Sequence, residues 1–183
     1  MTVLACENWS GVCENPHWWH FQNDSETEIE VSEFLGTLVR LIQPEVAVES
    51  GVLYGQTTEQ IGLALKANGH GKLWAIEPKE QFYESTKNRV VGLPIQCVLS
   101  AIEDWAPPAA INFLFLDSTG DQFSQFERLF PFFAPGAVLA LHDTQLSGSE
   151  AQKALVNIKE KYGHLFEGVE FQTPHGLWIG RFK

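Results

Sequence analysis

The feature that most constrains the fold is the stretch 46–58, where a short apolar run is followed by two glycines and then an amphipathic segment. The apolar run has the β-branched pattern of a buried strand. Gly51 and Gly55 provide a tight loop, and Thr57 and Gln60 have the Thr-x-x-Gln spacing of a capping box. The stretch therefore predicts a strand, a tight glycine loop and a helix in succession.

The composition of this loop predicts the kind of ligand that it binds. Glycines let a ligand approach the backbone without meeting a Cβ, and the following helix presents free N–H groups at its N-terminus. Glu49 places an acid beside the loop, which suits a ligand with cationic or hydroxyl groups better than a pyrophosphate. The dinucleotide fingerprint Gly-x-Gly-x-x-Gly is also incomplete, because no glycine stands between Gly51 and Gly55.

Two further strand ends carry candidate ligand-binding residues. The apolar run 73–76 predicts a second strand that ends in Glu77-Pro78, and a carboxylate at that point can accept hydrogen bonds from both hydroxyls of a ribose. A surface acid at a strand end is the alternative. The run 95–99 predicts a third strand, and Ser100 after it either borders a ligand or caps a short helix.

The segment 110–144 places acids at the ends of two apolar strands. The run 110–116 predicts a central parallel strand that ends at Asp117, and the run 137–141 predicts a strand that ends in His142-Asp143. Carboxyl ends of parallel strands form the ligand-binding edge of an open α/β sheet. His142 is either a general base or a strand-end residue oriented by Asp143, and the residue pattern leaves both open.

Together these motifs resemble those of class I S-adenosylmethionine (SAM) dependent methyltransferases. The pattern Glu-x-Gly-x-x-x-Gly-x-Thr over 49–57 looks like their first motif, and Leu-Asp-Ser, Pro-Gly-Ala and His-Asp-Thr over 116–144 resemble the cephalosporin-hydroxylase-like and macrocin O-methyltransferase-like branch. The resemblance covers residues 25–183. It implies an α/β, Rossmann-like three-layer sandwich with a seven-stranded, mostly parallel sheet and a C-terminal antiparallel hairpin.

The resemblance also implies a set of site residues. Those implied to bind SAM are Glu49, Gly51, Val52, Tyr54, Gly55, Thr57, Glu77, Pro78, Ser100, Ala101, Ile102 and Asp117. His142 and Asp143 are implied to be the catalytic residues on the acceptor side. Ser100 departs from the Asp that many members have at the adenine.

A divalent cation such as Mg²⁺ is a further implication of the resemblance. Catechol-type O-methyltransferases place two Asp and one Asn at the equivalent strand ends. Asp117 and Asp143 match that pattern as metal ligands, but Thr144 stands where the Asn would be. The metal is therefore left open, because two hard oxygen ligands alone are a small set for such an ion.

The N-terminal region 1–24 is predicted to be an aromatic-rich arm or lid, and 25–183 the methyltransferase domain. Two cysteines and two histidines, Cys6, Cys13, His17 and His20, have a spacing that matches no tight structural zinc pattern. The run 29–42 has helical periodicity after a Ser-x-x-Glu capping box at 25–28, and the acidic side chains of this capped helix are expected to be solvated.

Composition limits the partners of the protein. The chain has 183 residues and a net charge of −11, so a nucleic acid is not expected as a partner. No apolar run approaches the ~20 residues of a membrane span. The three cysteines do not form a disulfide framework, no secretory signal is visible, and a cytoplasmic location is expected. The exposed aromatics would permit a homodimer.

The sequence thus predicts methyl transfer from SAM to a small-molecule acceptor, with a hydroxyl oxygen as the expected target. The first alternative is a protein that binds SAM or its demethylated product without transferring a methyl group. The second is a nucleotide-cofactor oxidoreductase, which the missing middle glycine disfavours. The third is a hydroxylase, for which the sequence shows no clear two-His-one-carboxylate set.

Overall fold

A computed structural model describes residues 4–5, 11–23 and 26–183. The helices are α1 Ile29–Ile42, α2 Gln56–Asn68, α3 Glu80–Arg89, α4 Gln122–Leu129 and α5 Glu150–Tyr162. The strands are β1 Leu4–Ala5, β2 His20–Phe21, β3 Val46–Ser50, β4 Lys72–Glu77, β5 Ile95–Leu99, β6 Ile111–Leu116, β7 Phe133–His142, β8 Phe166–Phe171 and β9 Leu177–Phe182.

The large sheet has seven strands in the order β5-β4-β3-β6-β7-β9-β8. Strands β3 to β7 run parallel, and β9 pairs antiparallel with both β7 and β8. This confirms the predicted seven-stranded, mostly parallel sheet and its C-terminal hairpin. The chain order reverses between β3 and β6, and ligands of open α/β sheets bind at the carboxyl ends of the strands beside such a reversal.

Two apolar cores cover the two faces of this sheet. Side chains of β6 alternate between them: Leu114 and Leu116 face the core that includes α4 and α5, while Phe113 and Phe115 face the core that includes α1 and α2. Burial on both faces explains why β6 is apolar from Phe113 to Leu116. The result is the predicted Rossmann-like sandwich of helix, sheet and helix layers.

Helix α2 begins two residues earlier than its capping box predicted. Its first residue is Gln56, and Gly55 in the left-handed conformation precedes it without a side-chain cap. The hydroxyl of Thr57 lies 2.9 Å from the hydroxyl of Ser32 on α1 instead. The hydroxyl of Thr57 therefore bonds to a residue of another helix and does not cap α2.

The described part of the N-terminal region packs on the domain. Phe21 is buried, and its ring lies 5.2 Å from the ring of His175. Gln22 accepts a hydrogen bond from Arg89 at the end of α3. Cys6 lies outside the described residues, so the four-residue zinc pattern is not represented in full, and Ser25 of the predicted capping box also lies outside them.

The acids before α1 are not solvated as predicted. Glu26 has an exposed fraction of 5% and Glu28 of 0%. The segment 26–28 crosses the carboxyl ends of β6 and β7, because Thr27 contacts Asp117 and Glu28 contacts His142. Among the helices that the structure describes, none is long and apolar enough to cross a bilayer.

Candidate active site

A cavity of about 590 Å³ lies at the carboxyl ends of the central parallel strands. Its size is in the range of cofactor and small-molecule sites. The predicted site residues that line it are Glu49, Gly51, Val52, Thr57, Glu77, Pro78, Ala101, Ile102, Asp117, His142 and Asp143. Tyr54, Gly55 and Ser100 are predicted site residues that do not line it.

The two glycines of the loop have different structural roles. A Cβ built on Gly51 would lie 2.6 Å from the carbonyl oxygen of Asp117, so only glycine lets the ends of β3 and β6 approach this closely. A Cβ on Gly55 would meet the side chain of Thr86 at 2.8 Å. Gly51 therefore shapes the cavity itself, while Gly55 seats the start of α2 against α3.

Glu77 is held rigidly at the end of β4. One carboxylate oxygen accepts a hydrogen bond from the backbone N–H of Val52 at 3.2 Å, and the other accepts from the N–H of Lys79 at 2.9 Å. Each oxygen retains a second lone pair for a ligand. This arrangement can accept hydrogen bonds from two neighbouring hydroxyl groups.

Glu49 is a buried acid that lacks a full set of partners. Its side chain is 1% exposed, and the oxygen Oε2 has no hydrogen-bond partner. Burial, reinforced by the nearby carboxylates of Asp117 and Glu77, raises the pKa of Glu49 to about 8. A buried carboxyl group that is neutral near pH 7 for lack of a counter-charge is expected to ionise when a cationic ligand arrives.

The end of the cavity beyond β5 is lined by apolar side chains and by Glu103. Ala101 and Ile102 line it, together with Phe82 of α3. The hydroxyl of Ser100 donates to the carbonyl oxygen of Ala101 at 2.9 Å and caps no helix. Ser100 therefore neither lines the cavity nor caps a helix, and its hydroxyl bonds to the next residue of the chain.

His142 is enclosed by three carboxylates. Its Nε2 lies 2.6 Å from Glu28, and its Nδ1 lies 3.0 Å from Asp117 Oδ1 and 3.2 Å from Asp143 Oδ1. Burial alone lowers the pKa of His142, but the charges of these three carboxylates raise it well above 6.5. Both ring nitrogens are occupied, so the geometry does not favour His142 as a free general base.

Sequence reasoning missed Glu28, which lies behind His142, and also Thr27 and His175, which line the cavity. Besides contacting His142, Glu28 accepts a hydrogen bond from the backbone N–H of His175 at 3.0 Å. Burial alone raises the pKa of Glu28, but His142 holds it below its usual value. The contact with His142 joins residues separated by 114 positions, and no local motif carries a signal of such a pairing.

Asp117 and Asp143 differ in their surroundings. Asp117 accepts from the hydroxyl of Thr27 at 2.7 Å, and burial raises its pKa despite the favourable charge of His142. Asp143 has a left-handed backbone, a side chain that is 33% exposed and a second contact with His175 at 3.4 Å. The charge of His142 lowers the pKa of Asp143 against the effect of burial. Asp143 is therefore the more accessible carboxylate.

The divalent cation implied by the resemblance would be held here by two carboxylates and a ring nitrogen. Asp117, His142 and Asp143 have candidate ligand atoms within 4.8 Å of one another. Thr144, at the place of the third ligand, is 3% exposed, does not line the cavity, and its hydroxyl has no partner. Thr144 thus does not supply the third oxygen of the catechol-type pattern, and a set of two carboxylates and one imidazole suits Mn²⁺ or Zn²⁺ better than Mg²⁺.

The structure also assembles a two-His-one-carboxylate set that the sequence did not indicate. Glu28, His142 and His175 have candidate ligand atoms within 4.8 Å of one another. The 2.6 Å hydrogen bond between Glu28 and His142 fills its centre, and both side chains are at most 2% exposed. An ion would have to break that bond and enter a closed part of the protein.

The cavity continues past Asp143 toward α5. Leu146, Ser149 and Glu150 line that part with His175 from the turn between β8 and β9. The hydroxyl of Ser149 donates to the carbonyl oxygen of Asp143 at 2.7 Å and accepts from the N–H of Gln152 as the helix cap. This part offers a mixed polar and apolar surface for a second ligand beside the first.

The sequence profile of a family described as a methyltransferase domain matches residues 48–144, which is more than half of the chain. The match runs from the middle of β3 through the His-Asp-Thr segment after β7. It thus includes the glycine loop, Glu77, Asp117, His142 and Asp143. No curated protein sequence matches the chain significantly.

Solved structures share the fold at low sequence identity. The O-methyltransferase TomG of Streptomyces achromogenes, involved in tomaymycin synthesis and in complex with SAM, has 19% identity and a TM-score of 0.71, over 87% of this chain and 82% of its own. An O-methyltransferase of Bacillus cereus in complex with SAH has 14% identity and a TM-score of 0.72, over 88% and 84%. A SAM-dependent O-methyltransferase of Thermotoga maritima has 15% identity and a TM-score of 0.70, over 88% and 68%.

Proposed function

Because this chain belongs to the methyltransferase-domain family, we propose that it transfers a methyl group from SAM to a small-molecule acceptor, at a hydroxyl oxygen. The observation that carries the proposal is the cavity, which contains a fixed carboxylate, Glu77, and an unpaired one, Glu49, on either side of the Gly51 loop. The choice of oxygen as target is supported by the O-methyltransferases that share the fold.

The residues of the cavity fit the chemical groups of SAM. Glu77 suits the two ribose hydroxyls, since both of its oxygens are fixed by backbone N–H groups and each keeps a free lone pair. Glu49 suits a cationic amino-acid end, because a positive charge would compensate its ionised form. Ala101, Ile102 and Phe82 offer an apolar slot for the adenine ring.

The protein's task in such a reaction is alignment and the exclusion of water. When bound, SAM supplies a methyl group on a positively charged sulfur, and that carbon–sulfur bond breaks as the carbon–oxygen bond forms. Asp143 is positioned to take the hydroxyl proton, because it lines the cavity and is partly exposed. His142 holds Asp117 and Asp143 in place.

The described residues of the N-terminal arm are proposed to cover the acceptor side. Phe21 packs on His175, which lines the cavity, and Gln22 is tied to Arg89. Arg89 also donates to the carbonyl oxygen of Tyr54 in the glycine loop. A cover of this kind keeps water away from the transfer step.

The test measures binding and transfer separately. Calorimetry with SAM and with NAD is expected to show micromolar binding of SAM only, and methyl-labelled SAM is expected to label members of a panel of phenols, catechols and sugar alcohols. The Asp143→Asn variant, whose side chain tolerates the left-handed backbone, is expected to keep the SAM affinity and to lose about 10²-fold in rate.

Each outcome of this test has a defined meaning. Binding of SAM without transfer to any acceptor would favour the non-catalytic alternative. Absence of SAM binding would refute the proposal, and binding of NAD would favour the oxidoreductase. An equal loss of SAM affinity and rate in Asp143→Asn would assign Asp143 to the cofactor site.

A further inference from the structure

Glu26 is a buried acid of the cavity wall that the proposed methyl transfer does not use. It is 5% exposed and lines the cavity. Neither of its carboxyl oxygens has a hydrogen-bond partner among the residues that the structure describes. A buried carboxylate of this kind is costly, because burial removes its hydration and no protein group replaces it. A ligand that brings the missing partner would remove this cost.

Arg89 does not neutralise Glu26 by direct contact. Its guanidinium donates to the carboxylate of Glu59, to the carbonyl oxygen of Tyr54 and to the side chain of Gln22. Burial raises the pKa of Glu26, and the charge of Arg89 opposes this effect only in part. Within the described part of the chain, Glu26 therefore has no ion-pair partner of its own.

The chain around Glu26 crosses the strand ends on the side that is proposed to face the acceptor. The hydroxyl of Thr27, the next residue, donates to Asp117 at 2.7 Å, and its carbonyl oxygen accepts from the side chain of Gln56 at 3.1 Å. Glu49, the acid proposed to bind the cationic end of SAM, belongs to strand β3 instead. The two acids thus reach the cavity from different parts of the fold.

The charge of the cavity favours cationic ligands. Seven carboxyl side chains line it, whereas Lys79 is its only lysine or arginine among the described residues. Glu77 and Asp117 accept hydrogen bonds from protein groups, but Glu26 and Glu49 each have a buried oxygen that no described residue contacts in this way. A cavity lined mainly by one sign of charge attracts ligands of the opposite sign and repels those of the same sign.

We propose that Glu26 binds a positively charged group of the acceptor, so that the substrates are hydroxyl compounds that also carry an ammonium or a similar cation. The inference rests on the proposed methyl transfer and deepens it by naming the class of the acceptor. Glu49 binds the cation of SAM, and Glu26 binds the cation of the acceptor. A neutral acceptor would leave Glu26 unpaired, and an acceptor with a carboxylate would add repulsion.

The first experiment compares acceptors that differ mainly in charge, and it needs no variant. Tyramine, tyrosol and 4-hydroxyphenylacetate carry a phenol beside a cationic, a neutral and an anionic group, and glucamine, sorbitol and gluconate form the same series for a sugar alcohol. Calorimetry with the protein saturated with the demethylated product of SAM measures binding, and labelled SAM measures transfer. In at least one series the cationic member is expected to exceed the neutral one roughly tenfold or more in both. Equal binding within each series, or no binding of either cation at millimolar concentration, would overturn the proposal.

The second experiment removes the charge of Glu26 and keeps the shape of its side chain. In Glu26→Gln the preference for the cationic over the neutral acceptor is expected to fall about 10- to 100-fold. Glu33→Gln is the matched control, because Glu33 is an exposed acid of the helix that follows, and it should keep the full preference. An unchanged preference in folded Glu26→Gln would overturn the proposal.

SAM affinity, measured on the same samples, identifies the cation that Glu26 binds. It is expected to change less than about threefold in Glu26→Gln. A loss of SAM affinity as large as the loss of acceptor preference would assign Glu26 to the cation of SAM and would overturn the proposal. Failure of the proposed function would appear differently, as a wild-type protein that binds no SAM. A wild type that binds SAM and methylates neutral and cationic acceptors equally well would refute only the role of Glu26.

Discussion

The two halves of the cavity stabilise their carboxylates in different ways. On the side proposed to bind SAM, Glu77 is held by backbone N–H groups and Glu49 lacks a partner for one oxygen. On the side proposed to face the acceptor, Asp117 and Asp143 both contact the imidazole of His142. The first half therefore has capacity for a cationic, hydroxyl-bearing ligand, whereas the carboxylates of the second half are oriented by a side chain of the protein.

Substitution of Gly51 is expected to have the largest effect, because it disrupts the point where the two halves meet. In Gly51→Ala the new Cβ would clash with the backbone of Asp117 and Ser118, at a φ of +86° that disfavours side chains. We expect a loss of about 2–4 kcal/mol in the free energy of unfolding, measured by urea denaturation, and at least a tenfold weaker SAM affinity.

The matched control for this variant is Gly92→Ala. Gly92 has a similar φ of +80°, but a Cβ there would meet nothing within 4 Å. The control is expected to lose only the backbone strain, about 1 kcal/mol, and to bind SAM normally. Equal behaviour of the two variants would mean that strain rather than the close approach to Asp117 makes Gly51 necessary.

Glu28→Gln tests the half of the cavity that contains Asp117, His142 and Asp143. The variant retains the shape of the side chain but removes the charge that holds His142, and we expect a loss of about 1.5–3 kcal/mol in stability. The rate of transfer is expected to fall about tenfold at a temperature where the variant is fully folded, because Asp117 and Asp143 lose their fixed orientation. The dissociation constant for SAM should change less than threefold.

Glu33→Gln in α1, the helix that Glu28 precedes, is the control for Glu28, because Glu33 is exposed. It is expected to match the wild type in unfolding, SAM binding and rate. A normal rate in folded Glu28→Gln would show that Glu28 supports the fold only and does not position the acceptor side.

Most residues predicted from the sequence line the cavity in both halves, but the distant partners of those in the second half were not predicted. The glycine loop and Glu77 belong to contiguous strand–loop segments, so their chemistry is visible in neighbouring residues. Glu28 was assigned to a helix cap because its partner, His142, is far away in the chain. The capping box at Thr57 failed for the same reason, since Ser32 provides the partner in space.

Apolar patterning predicted the sheet better than it predicted the residues that surround the ligand. A strand with an apolar run such as Phe113 to Leu116 of β6 has few alternatives to a central position, because both of its faces must be covered. Burial of Glu26 and Glu28 depends on where the segment 26–28, before α1, crosses the strand ends. That arrangement depends on the whole fold, so the local hydrophobic periodicity of the sequence does not predict it.

Glu77→Ala tests the half of the cavity that is proposed to bind SAM. Loss of the carboxylate removes two acceptors for the ribose, so SAM affinity is expected to fall about 10- to 100-fold, measured by calorimetry. Glu80→Ala, which changes an exposed acid just beyond the cavity, is the control and should bind SAM normally. Unchanged affinity in folded Glu77→Ala would remove Glu77 from the cofactor site.

Glu49→Gln tests the same half of the cavity through the pH dependence of stability, and it is expected to have the smallest effect on SAM binding. The Glu49 pKa of about 8 in the folded protein lies above the ordinary value of 4.5, so the ligand-free fold holds a proton that the unfolded chain releases. The contribution to stability is thus fully present below pH 4.5 and is lost as the pH rises toward 8. Glu49→Gln removes this loss and should be more stable than the wild type at pH 8, by roughly 2–4 kcal/mol.

A cationic ligand should reverse the preference of Glu49 for its proton. Binding of SAM at pH 7 is expected to release about one proton as Glu49 ionises, detected by calorimetry in buffers of different ionisation enthalpy. The Glu49→Gln variant should release none, and Glu84→Gln, which changes an exposed acid, should behave as the wild type. If proton release persists in Glu49→Gln, the proton comes from the half of the cavity that contains Asp117, His142 and Asp143. The protonation of that half would then change when SAM binds.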